Sequence, residues 1–148
     1  MKELVHAYFL TLSQERVDAL HKRLLDLKET ASAETKSTAG DKHETALAMV
    51  QLEQETIRTQ YNKALAQLAI LQRLIADDKP TPVVILGSLV KTTTAWFYIS
   101  TALGKASINQ QTVFALSAES PLGLMLMNKR QGDSFTFNAT HYTVLAIY

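Results

Sequence analysis

Asp41 and Glu44, in the stretch STAGDKHET at residues 37–45, are the side chains whose type and spacing best suit chemistry. Carboxylates three residues apart share one face of a helix. Hard cations such as Mg²⁺ accept a few carboxylate oxygens and keep several waters, so the pair could help hold a metal ion or orient its water. Two carboxylates alone leave Mg²⁺ mostly hydrated, so such chemistry would be lent in trans to another protein's active site. A plain structural reading stands beside this one. Asp41 is a good N-cap, Glu44 at the third helical position completes a capping box, and Gly40 supplies the backbone freedom of a tight bend. Other constellations are weaker. The four histidines, at 6, 21, 43 and 141, show no ligand spacing, and His43 beside Asp41 reads more simply as solvated. AGDK lacks the rest of a phosphate-binding loop.

The elements that would carry the acidic pair are written in two grammars. Residues 1–79 contain no proline and one glycine, and are rich in Ala, Leu, Gln, Glu, Lys and Arg. Residues 80–148 hold all three prolines, four of the five glycines and the single Trp, among dense Val, Ile, Thr, Phe and Tyr. The first composition favours helix and the second strand. The boundary is DDKPTP, where Pro80 and Pro82 forbid helix continuation.

Within the first part, a 3–4 spacing selects Leu10, Ser13, Val17, Leu20, Leu24, Leu27 and Ala31. The same spacing selects Leu47, Val50, Gln54, Ile57, Tyr61, Ala64, Leu68, Leu71 and Ile75. Folding the chain back at Gly40 pairs Ala31 with Leu47, Leu27 with Val50, Leu24 with Gln54, and so on to Leu10 with Leu68. The residue numbers of each pair add to 77 or 78, so the ladders stay in step through seven layers. This predicts an antiparallel helical hairpin over 1–79, bent around Ala39. A compact bundle would need more apolar faces than the one stripe each helix offers. An arm of roughly thirty residues reaches about 45 Å at ~1.5 Å per residue, so the hairpin is expected to project.

Residues 80–148 are expected to form a small α+β domain. Strands are predicted over 83–90, 95–103 and 112–117, a short helix over 120–128, and a final hairpin of 134–138 with 141–148. Ser120 suits the helix cap and Pro121 its first position. Trp96, Phe97, Phe135, Phe137 and Tyr142 read as sheet core rather than as a prolyl-isomerase pocket.

Fifteen Lys and Arg balance fourteen Asp and Glu, which argues against a non-specific nucleic-acid binder. The absence of cysteine removes disulfides and thiolate metal sites. MKELVHAYFLTLSQER lacks the layout of a signal peptide, and no run approaches a membrane span. The expectation is a cytoplasmic protein with no membrane partner.

These features together resemble the bacterial Gre transcript-cleavage factors, which join an N-terminal helical hairpin to an FKBP-like C-terminal domain. Gly40, Asp41, Glu44 and Ala46 match their tip pattern, Gly-Asp-x-x-Glu-x-Ala. Ser117, Ser120, Pro121, Gly123, Leu126, Lys129, Gly132 and Asp133 match the second pattern, Ser-x-x-Ser-Pro-x-Gly/Ala-x-x-Leu followed by Lys and Gly-Asp. Tyr142 and Val144 match the closing Phe/Tyr-x-Val/Ile. The resemblance covers nearly the whole chain, and the two motifs in this order are its specific part. It implies that the globular domain docks beside the secondary channel of RNA polymerase while the hairpin enters it. The catalytic pair Asp41 and Glu44 would then reach the nascent RNA 3′ end in a backtracked complex. With the polymerase's aspartates they would help hold a second Mg²⁺, which neither binds stably alone, and position the water that cleaves the RNA. No independent enzyme activity is implied. Glu119, Ser120 and Pro121 stand where the family contacts the channel rim.

The chain departs from the family at Thr45, Leu47 and Ala48, where a polar and an aromatic residue are usual. A non-catalytic regulator of the same channel therefore stays open, as does a coiled-coil interaction module unrelated to polymerase. Oligomeric state is not legible.

Overall fold

The computed structural model describes residues 1–35 and 40–148, with side chains for 1–33 and 44–148. Two long helices come first, α1 (Lys2–Thr35) and α2 (Gly40–Arg73). Six strands follow, β1 (Leu89–Thr92), β2 (Trp96–Ser100), β3 (Gly104–Ile108), β4 (Gln111–Ser117), β5 (Ser134–Phe137) and β6 (Thr140–Ile147). The short helix α3 (Pro121–Leu126) lies between β4 and β5. The protein is thus α+β. By internal contact it divides into one unit of Leu12–Leu68 and another of Met1–Thr11 with Ala69–Tyr148. The expected bend around Ala39 lies outside the described residues.

In the Leu12–Leu68 unit the two helices pack along the predicted stripe. Ser13, Val17, Leu27, Ala64 and Leu68 are buried, and Leu20, Leu24, Ala31, Leu47, Val50, Gln54, Ile57 and Tyr61 are half-buried. Residues between the stripe positions of α1 face water over 14–30. Half-burial is what a layer of only two helices can give, because each seam side chain is covered from one side. Ser13, a polar residue on the apolar stripe, is 1 % exposed. Arg23 pairs with Glu53, and His21 packs on Tyr61 with ring centroids 5.8 Å apart. As numbers rise along α1 they fall along α2, which makes the pair antiparallel.

The other unit is built on a sheet of order β3-β4-β2-β1-β6-β5, antiparallel except where β2 runs parallel to β4. Strand β2 is central and buried on both faces. Phe97 and Ile99 join Val84, Val90, Leu126 and Val144 in the core under α3. Tyr98 points the other way and stacks on Phe9 of α1, with centroids 6.3 Å apart. Fully covering a side chain of this size contributes about 1.5–3 kcal/mol, so these contacts tie the first turns of α1 to the sheet. Two tight hairpins complete the sheet, at Asn109-Gln110 and Asn138-Ala139, with all four residues at positive φ. Paired positive φ values match the right-handed twist of the flanking strands.

Several expectations are corrected. Residues 83–88 are not strand: Gly87 sits at φ +92° in a turn where the Ser88 N–H donates to the Ile85 carbonyl at 3.0 Å. Only Leu89 and Val90 of that run enter β1, which continues into KTTT instead of ending before it. Strand β3 had no predicted counterpart. Ile75, placed on the stripe, lies beyond the end of α2 and is 75 % exposed. Trp96 is half-buried outside the main core, stacked on Tyr148.

Candidate functional site

Helix α2 already includes Gly40. Asp41 therefore lies inside the first turn instead of capping it, and Glu44 lies past the third helical position, so the capping-box reading is corrected by the helix's earlier start. On one helix the pair is separated by about 4.5 Å of rise and ~60° around the axis. Glu44 is exposed; the side chain of Asp41 lies outside the described residues. Acidic groups in a first turn are favoured by the helix dipole. Among the described residues no group of three or more His, Asp or Glu could hold a metal ion. The donor set of the pair, two carboxylates, has the oxygen chemistry that suits Mg²⁺.

Glu119, Ser120 and Pro121 sit where β4 turns into α3, and the structure gives a physical role to most residues of the surrounding motif. Ser120 is the N-cap: its Oγ accepts from the Gly123 N–H at 3.1 Å and donates to the Ser117 carbonyl at 2.7 Å. Ser117 Oγ in turn accepts from the Glu119 N–H at 3.1 Å. Pro121 occupies the opening helical position, where a missing N–H costs nothing. A Cβ on Gly123 would lie 2.0 Å from the Ser117 carbonyl oxygen, so only glycine fits. Leu126 is fully buried in the core. Further on, Asp133 Oδ2 accepts from the Arg130 N–H at 2.8 Å, and the Gly132 N–H donates to the Val144 carbonyl at 2.8 Å. Outward from this turn project Glu119, Pro121, Leu124 and Met125, all exposed.

Sequence reasoning assigned nothing to the residues where α1 begins. Asp78 accepts from the Met1 amine at 3.0 Å and the Lys2 N–H at 2.6 Å. The amine's hydrogen bond, first among the causes, holds the Asp78 carboxyl below its ordinary range. His6 Nδ1 lies 2.7 Å from the Tyr98 hydroxyl. Burial, and then the charge of Lys2, lower the His6 pKa, while burial alone pushes the Tyr98 phenol up. His6 and Tyr98 are 92 residues apart in sequence, and no local pattern announces such a pair.

The sheet also carries a cavity of about 430 Å³, lined by Phe97, Phe114, Leu116, Leu122 and Tyr142 with a rim of threonines. Phe97 and Tyr142, expected as core, thus belong to core and cavity wall together. No Asp, Glu, His, Lys or Arg lines it, so proton-transfer chemistry there has only hydroxyls to draw on. No helix among the described residues is long and apolar enough to cross a membrane. No protein-family model matches the chain, and no curated protein sequence does either.

Proposed function

We propose that the protein is a Gre-like transcription elongation factor that enters the secondary channel of RNA polymerase and stimulates cleavage of backtracked nascent RNA. One observation carries the reading: two long helices, the second opening with Asp41 and Glu44, precede six strands and a short helix that bear the Ser117–Leu126 turn. The sheet unit is read as FKBP-like, supported by its order β3-β4-β2-β1-β6-β5 and its aromatic-walled cavity. Glu119 and Pro121, with Leu124 and Met125 beside them, supply an exposed, mixed acidic and apolar surface for the channel rim. Ser120 holds that surface in shape.

Asp41 and Glu44 would present their carboxylates to a Mg²⁺ shared with the polymerase's own aspartates. When bound there, the ion supplies Lewis-acid stabilisation of the oxygens at the phosphodiester. This chain's part is to bring two negative side chains on one helix face, order a water and accept its hydrogen bonds. No independent nuclease activity follows, because the remaining ligands belong to the polymerase. The protein acts in the cytoplasm on this reading.

Purified protein added to stalled, backtracked complexes should shorten the RNA, and Asp41→Ala or Glu44→Ala should abolish most of the acceleration, on the order of 10²-fold or more for lost transition-state electrostatics. Wild type that accelerates nothing at any Mg²⁺ concentration would remove the cleavage part. Thr45, Leu47 and Ala48 favour one second reading, a regulator that occupies the channel without promoting cleavage. In that case polymerase binding and altered pausing persist in the absence of cleavage.

A further inference from the structure

The end of α2 and the loop leading to β1 form, with the start of α1, a groove of about 320 Å³. Its lining includes Lys2, Arg73, Ile75, Asp77, Ile85 and Leu86. Part of the lining is apolar and exposed: Ile75, Ile85 and Leu86 are all large exposed aliphatics. Each falls in irregular chain, Ile75 just after α2 ends and the other two in the turn closed by Ser88.

The same lining carries two cations, Lys2 and Arg73, against one acid, Asp77. Lys2 is only 6 % exposed, and among the described residues its ammonium has no hydrogen-bond or ion-pair acceptor. Burial lowers its pKa against the opposing pull of Asp77 and Asp78. Asp78 is committed to the first residues of α1, and Asp77 pairs with Lys79 at 3.3 Å. Arg73 has no ion pair among the described residues either. Positive charge therefore exceeds negative in this lining. A buried ammonium is well settled only when acceptors surround it.

We propose that this groove docks an acidic and apolar peptide segment of a partner protein. A carboxylate of the segment meets Lys2 and Arg73, and a neighbouring aliphatic or aromatic side chain covers Ile75, Ile85 and Leu86. The apolar part of the lining decides between occupants. A free phosphate or small carboxylate would satisfy the ammonium and leave three aliphatic side chains in water, whereas a peptide covers both. A volume of about 320 Å³ suits the one or two side chains of such a segment. The inference does not use the polymerase reading, and neither Asp41 nor Glu44 lines this groove.

The test is fluorescence anisotropy of a labelled peptide of alternating glutamate and leucine, titrated with the full chain. Saturable binding is expected. Lys2→Met, which keeps the aliphatic stem, and Leu86→Ser, at an exposed position, should each weaken it about tenfold or more. Replacing the peptide's glutamates by glutamine, or its leucines by serine, should weaken it similarly. Trp96 fluorescence melts of both variants show whether each is folded, and Asp41→Ala should bind the peptide as wild type does. Absence of saturable binding overturns the proposal, as does binding that ignores both substitutions. Displacement by inorganic phosphate with no effect of Leu86→Ser also overturns it, and would mark a simple anion site.

Discussion

Gly123→Ala tests the turn that holds the proposed contact surface. The added methyl would stand 2.0 Å from the Ser117 carbonyl oxygen and 2.8 Å from Ser120 Oγ. Ordinary contacts of a Cβ begin near 3.4 Å, so β4 and α3 must part by more than an ångström. That movement breaks the hydrogen bonds of Ser120 Oγ to the Ser117 carbonyl, of the Gly123 N–H to Ser120 Oγ, and of the Ser120 N–H to the Ser117 carbonyl. Each contributes about 1 kcal/mol net, and alanine returns about 1 kcal/mol as a better helix former. The expected loss is about 2 kcal/mol, a fall in melting temperature of roughly 4–8 °C for a chain of this size. Trp96, the single tryptophan, lies on the same sheet and reports this unit's melt, while far-ultraviolet circular dichroism is dominated by the long helices. The tryptophan transition should move and the helical one should follow only where the units melt together. A variant melting within about 1 °C of wild type by tryptophan fluorescence would refute the close approach of Gly123 to Ser117. Glu119→Ala, at an exposed position, should by contrast change stability by less than about 0.5 kcal/mol and, on the polymerase reading, weaken binding.

Other perturbations follow from the same structure. Leu27→Ala removes a buried seam residue of α1 and should cost about 2–4 kcal/mol, measured as loss of helical circular dichroism on urea titration. Ala139 sits at φ +64° in the β5–β6 turn, so Ala139→Gly should stabilise by about 0.5–1 kcal/mol, seen as a higher urea midpoint. His6 has a folded-state pKa below its ordinary 6.5. The unfolded chain therefore binds the proton first, and stability present above that value declines as pH falls through it. Urea midpoints between pH 8 and 5 should show this decline, and His6→Gln should flatten it. Asp78, also depressed, acts in a separate and more acidic window, below its ordinary 3.8.

What the sequence made legible was whatever repeats or punctuates. The stripe from Ser13 to Ala31 is readable because one-sided packing demands an apolar residue at each turn, and burial follows it position by position. The Ser120-Pro121 helix start is readable because cap chemistry is local. Misreadings arose where a tertiary partner overrode a local pattern. VVIL is rich in strand formers, yet Gly87 turns the chain and leaves Ile85 and Leu86 outside any strand. Strand β3 buries only Ala106 and Ile108, too sparse an alternation to stand out from GKASI. Lys2, His6 and Tyr98 gave no signal at all, because their proximity is a product of the fold.

The two motifs that carry the family resemblance bear different weight. Ser117, Ser120, Gly123 and Leu126 are each fully employed by the turn, as acceptor, cap, close approach and core respectively. Any chain needing that turn would select them, so they argue for a shape more than for a partner. Asp41 and Glu44 are placed otherwise. With Gly40 already helical, reciprocal capping does not account for the pair, and the helix dipole rewards negative charge near the first turn without asking for two acids on one face. The turn therefore tests the fold and the acids test the function. Asp41→Asn with Glu44→Gln separates the two, since it keeps side-chain size while removing both negative charges and turning one acceptor oxygen of each group into a donor. A stability loss of no more than about 2 kcal/mol, the helix dipole's share for two charges, together with lost RNA shortening is the expected result; retained shortening would move the chemistry elsewhere on the chain.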